Sequence, residues 1–160
     1  MDHGLVVIRD ARTKDSQKAL PAWDEFMAYH SNLSAHDFDM VPGARDMWRK
    51  YFERHVRSRL RKALIAERDG EIIGFLLGEL RKLPPIFTTP RQAYVDSLGV
   101  VESERNKGIG ALLLNSFEEW ARERQMPFIT LNVRAENKSA IRFYERCGFK
   151  AISLVEKKLL

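Results

Sequence analysis

The sequence predicts an α/β (α+β) sandwich, a mixed central sheet with helices on both faces, and three observations carry that prediction. With 160 residues and 44% of them hydrophobic, the chain fits one domain, residues 1–160, built around one core. Short β-branched runs alternate with longer segments whose apolar residues recur at helical spacing. In the second half, strand and helix patterns follow one another, and such an order calls for parallel crossovers around one sheet.

Leu5 to Arg9 reads as a short first strand. From Ser16 to Ala28, residues Ala19, Leu20, Trp23, Phe26 and Met27 recur as a helix requires. A polar, turn-rich stretch from Ser31 to Arg45 follows. The next helix carries Met47, Trp48, Tyr51, Phe52, His55 and Val56 on one face, and Arg49, Lys50, Arg54, Arg57 and Arg59 on the other. Ala63 to Glu67 and Glu71 to Leu80 form a hairpin around Asp69-Gly70, a pair suited to a positive-φ turn. Pro84, Pro85 and Pro90 make 83–90 a loop, because proline removes ladder donors. Then come a strand (Ala93 to Val101), a helix (Gly108 to Arg124), a strand (Phe128 to Val133) and a helix (Asn137 to Cys147) closed by Gly148. Phe149 to Leu160 completes the pattern as a final extended strand.

Charge narrows the partners. Lys and Arg number 27 against 22 Asp and Glu, giving +5 and a pI near 9.5, which favours anionic ligands. The basic helix 45–62 lacks any nucleic-acid motif and is interrupted by Glu53, so it reads as a solvated face. A single cysteine, Cys147, excludes an internal disulfide and fits a reducing compartment. His3, His30, His36 and His55 show no metal-ligand spacing. The longest apolar stretch, Ile72 to Leu77, is far short of the roughly 18 residues that span a membrane. The N-terminus lacks the apolar core of a signal peptide, and the expected address is the cytoplasm.

The chemistry concentrates in Arg105-Asn106-Lys107-Gly108-Ile109-Gly110-Ala111, between a strand and an amphipathic helix. Glycines let a ligand approach the backbone closely, and the free N–H groups at a helix start make an anion site. Arg105 and Lys107 add full charges. A Walker loop is absent, and the third glycine of a dinucleotide fingerprint is replaced by Leu113.

This segment resembles the Arg/Gln-x-x-Gly-x-Gly/Ala element of the GNAT N-acetyltransferase superfamily. Downstream, Asn137-Lys138-Ser139-Ala140-Ile141-Arg142-Phe143-Tyr144-Glu145-Arg146-Cys147-Gly148-Phe149 is similar to that family's second signature, Asn-x-x-Ala-x-x-Phe-Tyr-Glu-x-x-Gly-Phe. Tyr94 to Val100 resembles its central strand. The resemblance is dense from about 93 to 149 and only topological before that.

It implies a GNAT-like acyl-CoA N-acyltransferase fold and direct transfer of acetyl from acetyl-CoA to a primary amine in a ternary complex. The pyrophosphate would rest on Arg105, Asn106, Lys107, Gly108, Ile109, Gly110 and Ala111, with Lys107, Lys138, Arg142 and Arg146 as candidate neighbours of the 3′-phosphate. The pantetheine arm would pair with main-chain groups of Leu98 and Val100, between strands 94–101 and 128–133, and Gly99 would mark the bulge that parts them. Asn137 serves both as N-cap and as a pantetheine neighbour. Tyr144 would protonate the departing thiolate, since a phenol of pKa about 10 is protonated at neutral pH.

A base is needed because an alkylammonium has no lone pair. Asp96 matches a strand position where some members of the family carry a catalytic Glu or Asp, which would take the proton directly or through water, with Glu79 and Glu102 as rivals. Alternation puts Asp96, Leu98 and Val100 on one face and Ser97 and Gly99 on the other. A backbone N–H near Leu98 would steady the oxyanion. Cys147 reads as a small buried side chain, which argues against an acyl-enzyme.

Residues 16–60 and 81–92 would build the acceptor pocket, where His36, Asp37 and Asp39 favour a cationic acceptor but Arg81, Lys82 and Arg91 an anionic one. Only 149–160 follows the last helix where the family has two strands, so either one long bent strand replaces the pair or a second subunit completes it, and a homodimer is expected. A non-catalytic acyl-CoA sensor is the alternative, ahead of a nucleic-acid module.

Overall fold

The computed structural model describes residues 4–34 and 37–160. Five strands lie in sequential order: β1 (Val7–Asp10), β2 (Arg61–Arg68), β3 (Glu71–Lys82), β4 (Arg91–Val100) and β5 (Ile129–Leu131). The first four pair antiparallel and β4 pairs β5 in parallel, so the sheet is mixed as predicted. Asp69 and Gly70 adopt φ of 52° and 83° and turn β2 into β3. Both strands are buried on both faces, which explains their unbroken apolar runs.

One face carries α1 (Asp15–Lys18), α2 (Leu20–Leu33) and α3 (Ala44–Arg57). Trp23, Trp48 and Phe52 pack there against Ile65, Phe75 and Leu77. The other face carries α4 (Ile109–Glu123) and α5 (Lys138–Arg146), with Leu113 and Phe117 against Leu64, Leu76 and Val95. Trp48, Phe52 and His55 form the buried stripe of α3, while Lys50, Arg54 and Arg57 are exposed, so its basic side is a solvated face.

Besides a shorter β5 (129–131 rather than 128–133) and an α3 that ends at Arg57, leaving Arg59 beyond the helix and Arg61 and Lys62 in β2, three elements differ from expectation. The single helix over 16–28 is two, broken at Ala19, because Pro21 cannot donate the bond that would continue the helix, and α2 then runs on to Leu33. Residues 150–160 are exposed and form no strand. A strand exists only within a ladder, and 150–160 joins none among the described residues.

The third difference lies in β4. Val95 pairs with Gly78 and Ser97 with Leu77, leaving Asp96 as the extra, bulged residue. Ala93, Val95, Leu98 and Val100 therefore all join the α4 face, whereas Asp96 meets α3. The predicted alternation, with Asp96 beside Leu98 and Val100, is corrected, because one inserted residue reverses the period-two pattern. Gly99 is not the bulge. Its small size admits the core: a Cβ there would lie 2.8 Å from Cε1 of Phe75 and 3.2 Å from Phe26.

Gly99→Ala is accordingly expected to destabilise the fold by about 1–3 kcal/mol, since the fully buried Phe75 ring has nowhere to move. Urea denaturation of the two proteins measures the difference.

Candidate functional site

After β4 the chain makes one 3₁₀ turn, Glu102–Glu104, and reaches α4 through 105–108. Asn106 (φ 62°) and Gly108 (φ 81°) are both left-handed, which asparagine tolerates better than most residues and glycine best. Gly108 is the N-cap of α4, and the space where a Cβ would project is open. The first helical bond runs from the Leu112 N–H to the Gly108 oxygen at 3.1 Å. The amides of Ile109, Gly110 and Ala111 thus belong to the turn whose N–H groups have no helical acceptor, at the positive end of the dipole. Ile109 is buried and anchors this turn.

Side-chain charges around the turn are partly engaged. Arg105 folds back, its Nε donating to the Val100 oxygen at 3.0 Å and its guanidinium lying 5.1 Å from the centre of the Tyr29 ring. Lys107 reaches Glu104 at 3.3 Å, and Arg68 holds the same carboxylate at 2.6 Å. Lys138, Arg142 and Arg146 are exposed on α5.

Beyond the turn, β5 pairs with β4 only over Ala93, Tyr94 and Val95. From Asp96 to Val100 that side of β4 has no strand partner among the described residues, leaving a seam along Leu98 and Val100. The seam continues toward the first turn of α4, where a Cβ on Gly110 would come 3.2 Å from the Phe143 ring and 3.6 Å from Leu98. An extended ligand with a terminal anion fits this arrangement: main-chain pairing along β4, then unpaired amides at its end.

Tyr144 is set by the end of α5. Gly148 (φ 90°) lets its own N–H donate to the Glu145 oxygen at 3.0 Å, and that of Phe149 to the Tyr144 oxygen at 3.0 Å. This pair of bonds is the Schellman closure. It also brings the Phe149 ring edge-on to Tyr144, with centroids 5.7 Å apart, and the Phe143 ring meets Tyr144 edge-on at 5.1 Å. The phenol makes no hydrogen bond among the described residues. Burial, with the nearby Cys147 thiol adding, pushes it up to about 12, so it keeps its proton at any physiological pH.

At the start of α5, Asn137 is 5% exposed and its Oδ1 accepts from the Ala140 N–H at 3.1 Å, the cap read from the sequence. The same oxygen accepts from the Tyr29 hydroxyl at 3.1 Å. Tyr29 thus ties α2 to α5 while carrying Arg105 on its ring face, a link the sequence reading missed.

On the α3 side, Asp96 sits in a polar cluster. Its Oδ1 accepts from Arg81 Nη2 at 3.0 Å, and its Oδ2 lies 3.2 Å from Nε2 of His55. Glu79 accepts from Arg81 at 2.8 Å and from Arg61 at 3.2 Å. Tyr51 stacks edge-on with His55 at 4.5 Å. Burial first, then the carboxylates of Asp96 and Glu79, push the Tyr51 phenol up to about 12. Donor atoms of His55, Glu79 and Asp96 lie within 4.8 Å of one another. Arg61 and Arg81 already occupy those carboxylates and supply the positive charge a cation would bring.

The structure brings Asp96 and Glu79 together and leaves Glu102 exposed and distant from them, its N–H donating to Glu25 at 2.7 Å. His55, read from sequence as a core residue, is buried but polar-bonded. Its four-residue spacing from Tyr51 on the apolar stripe was the available signal. Two of the acceptor-loop charges are engaged, Asp37 by Lys157 at 2.6 Å and Arg134 at 2.7 Å and Arg81 by Glu79 and Asp96, while Asp39, Lys82 and Arg91 enter no ion pair among the described residues. His36 lies outside the described residues. No described helix is long and apolar enough to cross a membrane.

Residues 23–149 match the family model of the Acetyltransferase (GNAT) family. An uncharacterized N-acetyltransferase of Bacillus subtilis, YdgE, is 28% identical over 138 residues, covering 86% of this chain and 78% of that protein. An N-alpha-acetyltransferase of Sulfurisphaera tokodaii is 29% identical over 113 residues, covering 66% of each chain. Among solved structures, a mutant of the BH1408 protein of Bacillus halodurans superposes with a TM-score of 0.87 at 20% identity, over 96% of this chain and 99% of that one, a likeness of fold. With a fold of this topology and a family match over most of its length, the chain belongs to the GNAT family of acetyltransferases, which move an acetyl group from acetyl-CoA to an amine.

Proposed function

We propose that the chain is a single cytoplasmic GNAT domain, residues 1–160, that acetylates a primary amine by direct transfer within a ternary complex. The observation that carries this reading is the seam: among the described residues β4 has no strand partner on its β5 side from Asp96 to Val100, and this open side leads to the left-handed turn and unpaired amides of α4. In this reading Arg105, Asn106, Lys107, Gly108, Ile109, Gly110 and Ala111 cradle the diphosphate of acetyl-CoA, and Leu98 and Val100 align its pantetheine arm. Asn137 borders that arm while capping α5.

The amine nitrogen attacks the thioester carbonyl, so a C–N bond forms and the C–S bond breaks. Asp96 takes a proton from the nitrogen, a backbone N–H near Leu98 steadies the oxyanion, and Tyr144 gives its proton to the departing sulfur. A phenol held protonated and free of hydrogen bonds among the described residues supports the acid role. The lone free thiol, Cys147, is compatible with a reducing compartment.

We infer a homodimer as well. The segment 150–160 exposes Ile152, Leu154, Val155, Leu159 and Leu160, and the outer edge of β5 is open among the described residues. Light scattering after size-exclusion chromatography is expected to give twice 18.6 kDa, and an 18.6 kDa species overturns the dimer.

Acetyl-CoA and CoA at about 100 times their Kd should each raise Tm by roughly 5–10 °C, because binding to the native state alone adds about 2.7 kcal/mol, and NAD should not. For chemistry, thiol release is followed with a polyamine, an aminoglycoside and a peptide α-amine as acceptors. Tyr144→Phe is expected to lower kcat by about 10²-fold with little change in KM for acetyl-CoA. Full turnover in that variant, with chemistry rate-limiting, removes the acid assignment.

A further inference from the structure

His55 is 1% exposed, and both its ring nitrogens face acceptors. Nδ1 lies 3.0 Å from the backbone oxygen of Tyr51, which can only accept, so Nδ1 carries a proton. Nε2 lies 3.2 Å from Oδ2 of Asp96. A neutral ring protonated on Nδ1 would turn its Nε2 lone pair toward that oxygen, and an ionised carboxylate has no proton to meet it. The contact therefore needs one further proton, on Nε2 or on Oδ2.

The surroundings bear on where that proton goes. Facing the pair are Tyr51 from α3, Glu79 and Arg81 from β3, Arg61 from β2, and Tyr94 from β4, whose ring lies 3.3 Å from the Arg81 guanidinium. Two carboxylates and two guanidiniums cancel, so the shared proton is the one uncompensated charge of the cluster. Losing it to solvent leaves a neutral site with a lone pair aimed at a carboxylate, an arrangement that favours taking a proton back.

We propose that His55 is a positioning residue for the base, and that the His55–Asp96 pair, one proton shared between Nε2 and Oδ2, titrates as a single unit. This rests on Asp96 being the base. The pair first releases its proton to solvent. It then accepts one proton from the acceptor ammonium and returns to the starting state. The second proton that the nitrogen loses replaces the one Tyr144 gives to the sulfur, so the protons balance.

The direct test is NMR of protein labelled with ¹⁵N-histidine. His55 is expected to lose Nε2–H in one step as pH rises while keeping Nδ1–H. In Asp96→Asn that step should move to lower pH by about one unit or more. An unmoved step, or a His55 that carries no Nδ1 proton, overturns the proposal. This measurement also stands should a His55 variant fail to fold.

Kinetics separates this proposal from the base assignment, using whichever amine of the panel above turns over fastest. His55→Gln offers Asp96 an N–H that cannot ionise, so the acidic limb of kcat/KM should shift to lower pH and the plateau fall by about tenfold. Asp96→Asn should lower the plateau by about 10²-fold. Should Asp96→Asn lose this activity while His55→Gln leaves the limb in place, the shared proton is refuted and the base stands. Should Asp96→Asn retain full activity with an unchanged limb, the base assignment itself is refuted.

Discussion

One inserted residue in β4 organises the rest of the structure. A strand that ran through without interruption could not hold all four apolar residues on one face: with Ala93 and Val95 toward α4, Leu98 and Val100 would turn toward α3 beside Asp96. The bulge lets Ala93, Val95, Leu98 and Val100 all serve the α4 core while Asp96 is delivered to the polar cluster beneath α3. A bulge also adds local twist, and the pairing of β4 with β5 ends at Val95, immediately before it. The ligand seam thus begins at the bulged residue itself, where the three-residue β5 also ends.

Helix termini do the remaining positioning. The start of α4 supplies unpaired amides on a turn made rigid by Ile109 below it. The start of α5 is fixed by Asn137, a cap of the kind worth about 1 kcal/mol, and by its bond to Tyr29. The far end of α5 is fixed by the closure at Gly148, whose accompanying apolar contact is the one between Phe149 and Tyr144. The motif residues Gly148 and Phe149 therefore act on the geometry of Tyr144 rather than on a ligand.

Electrostatic balance explains why the acceptor resists identification from charge alone. Of the loop residues that pointed in opposite directions, Asp37 and Arg81 spend their charges on Lys157 and Arg134 and on Glu79 and Asp96 respectively, while Asp39, Lys82 and Arg91 enter no ion pair among the described residues and still oppose one another. The basic side of α3 carries its own internal pairs, among them Arg57 with Glu53 and Lys50 with Asp46. What is left near Asp96 is a half-buried cluster whose one uncompensated charge is the shared proton, beside a Tyr51 phenol that burial keeps protonated, an environment suited to proton transfer.

The sequence by itself determined the mixed sheet, the Asp69-Gly70 turn, the glycine turn opening α4, the Asn137 cap and the Gly148 closure. Each is a local preference, set by φ, by a missing N–H partner or by apolar spacing within a few residues. Only the tertiary structure decided the face of Asp96, since a bulge depends on the register between β3 and β4, which no single strand encodes. The same holds for Gly99, whose need for glycine comes from Phe75 on the neighbouring strand and Phe26 on α2, and for 150–160, whose alternating apolar residues find no ladder among the described residues. His55 lay on a stripe that reads as core, and it is core. Its partner Asp96 is distant in sequence, so the contact that gives the ring its second proton arises only when α3 is laid across the sheet.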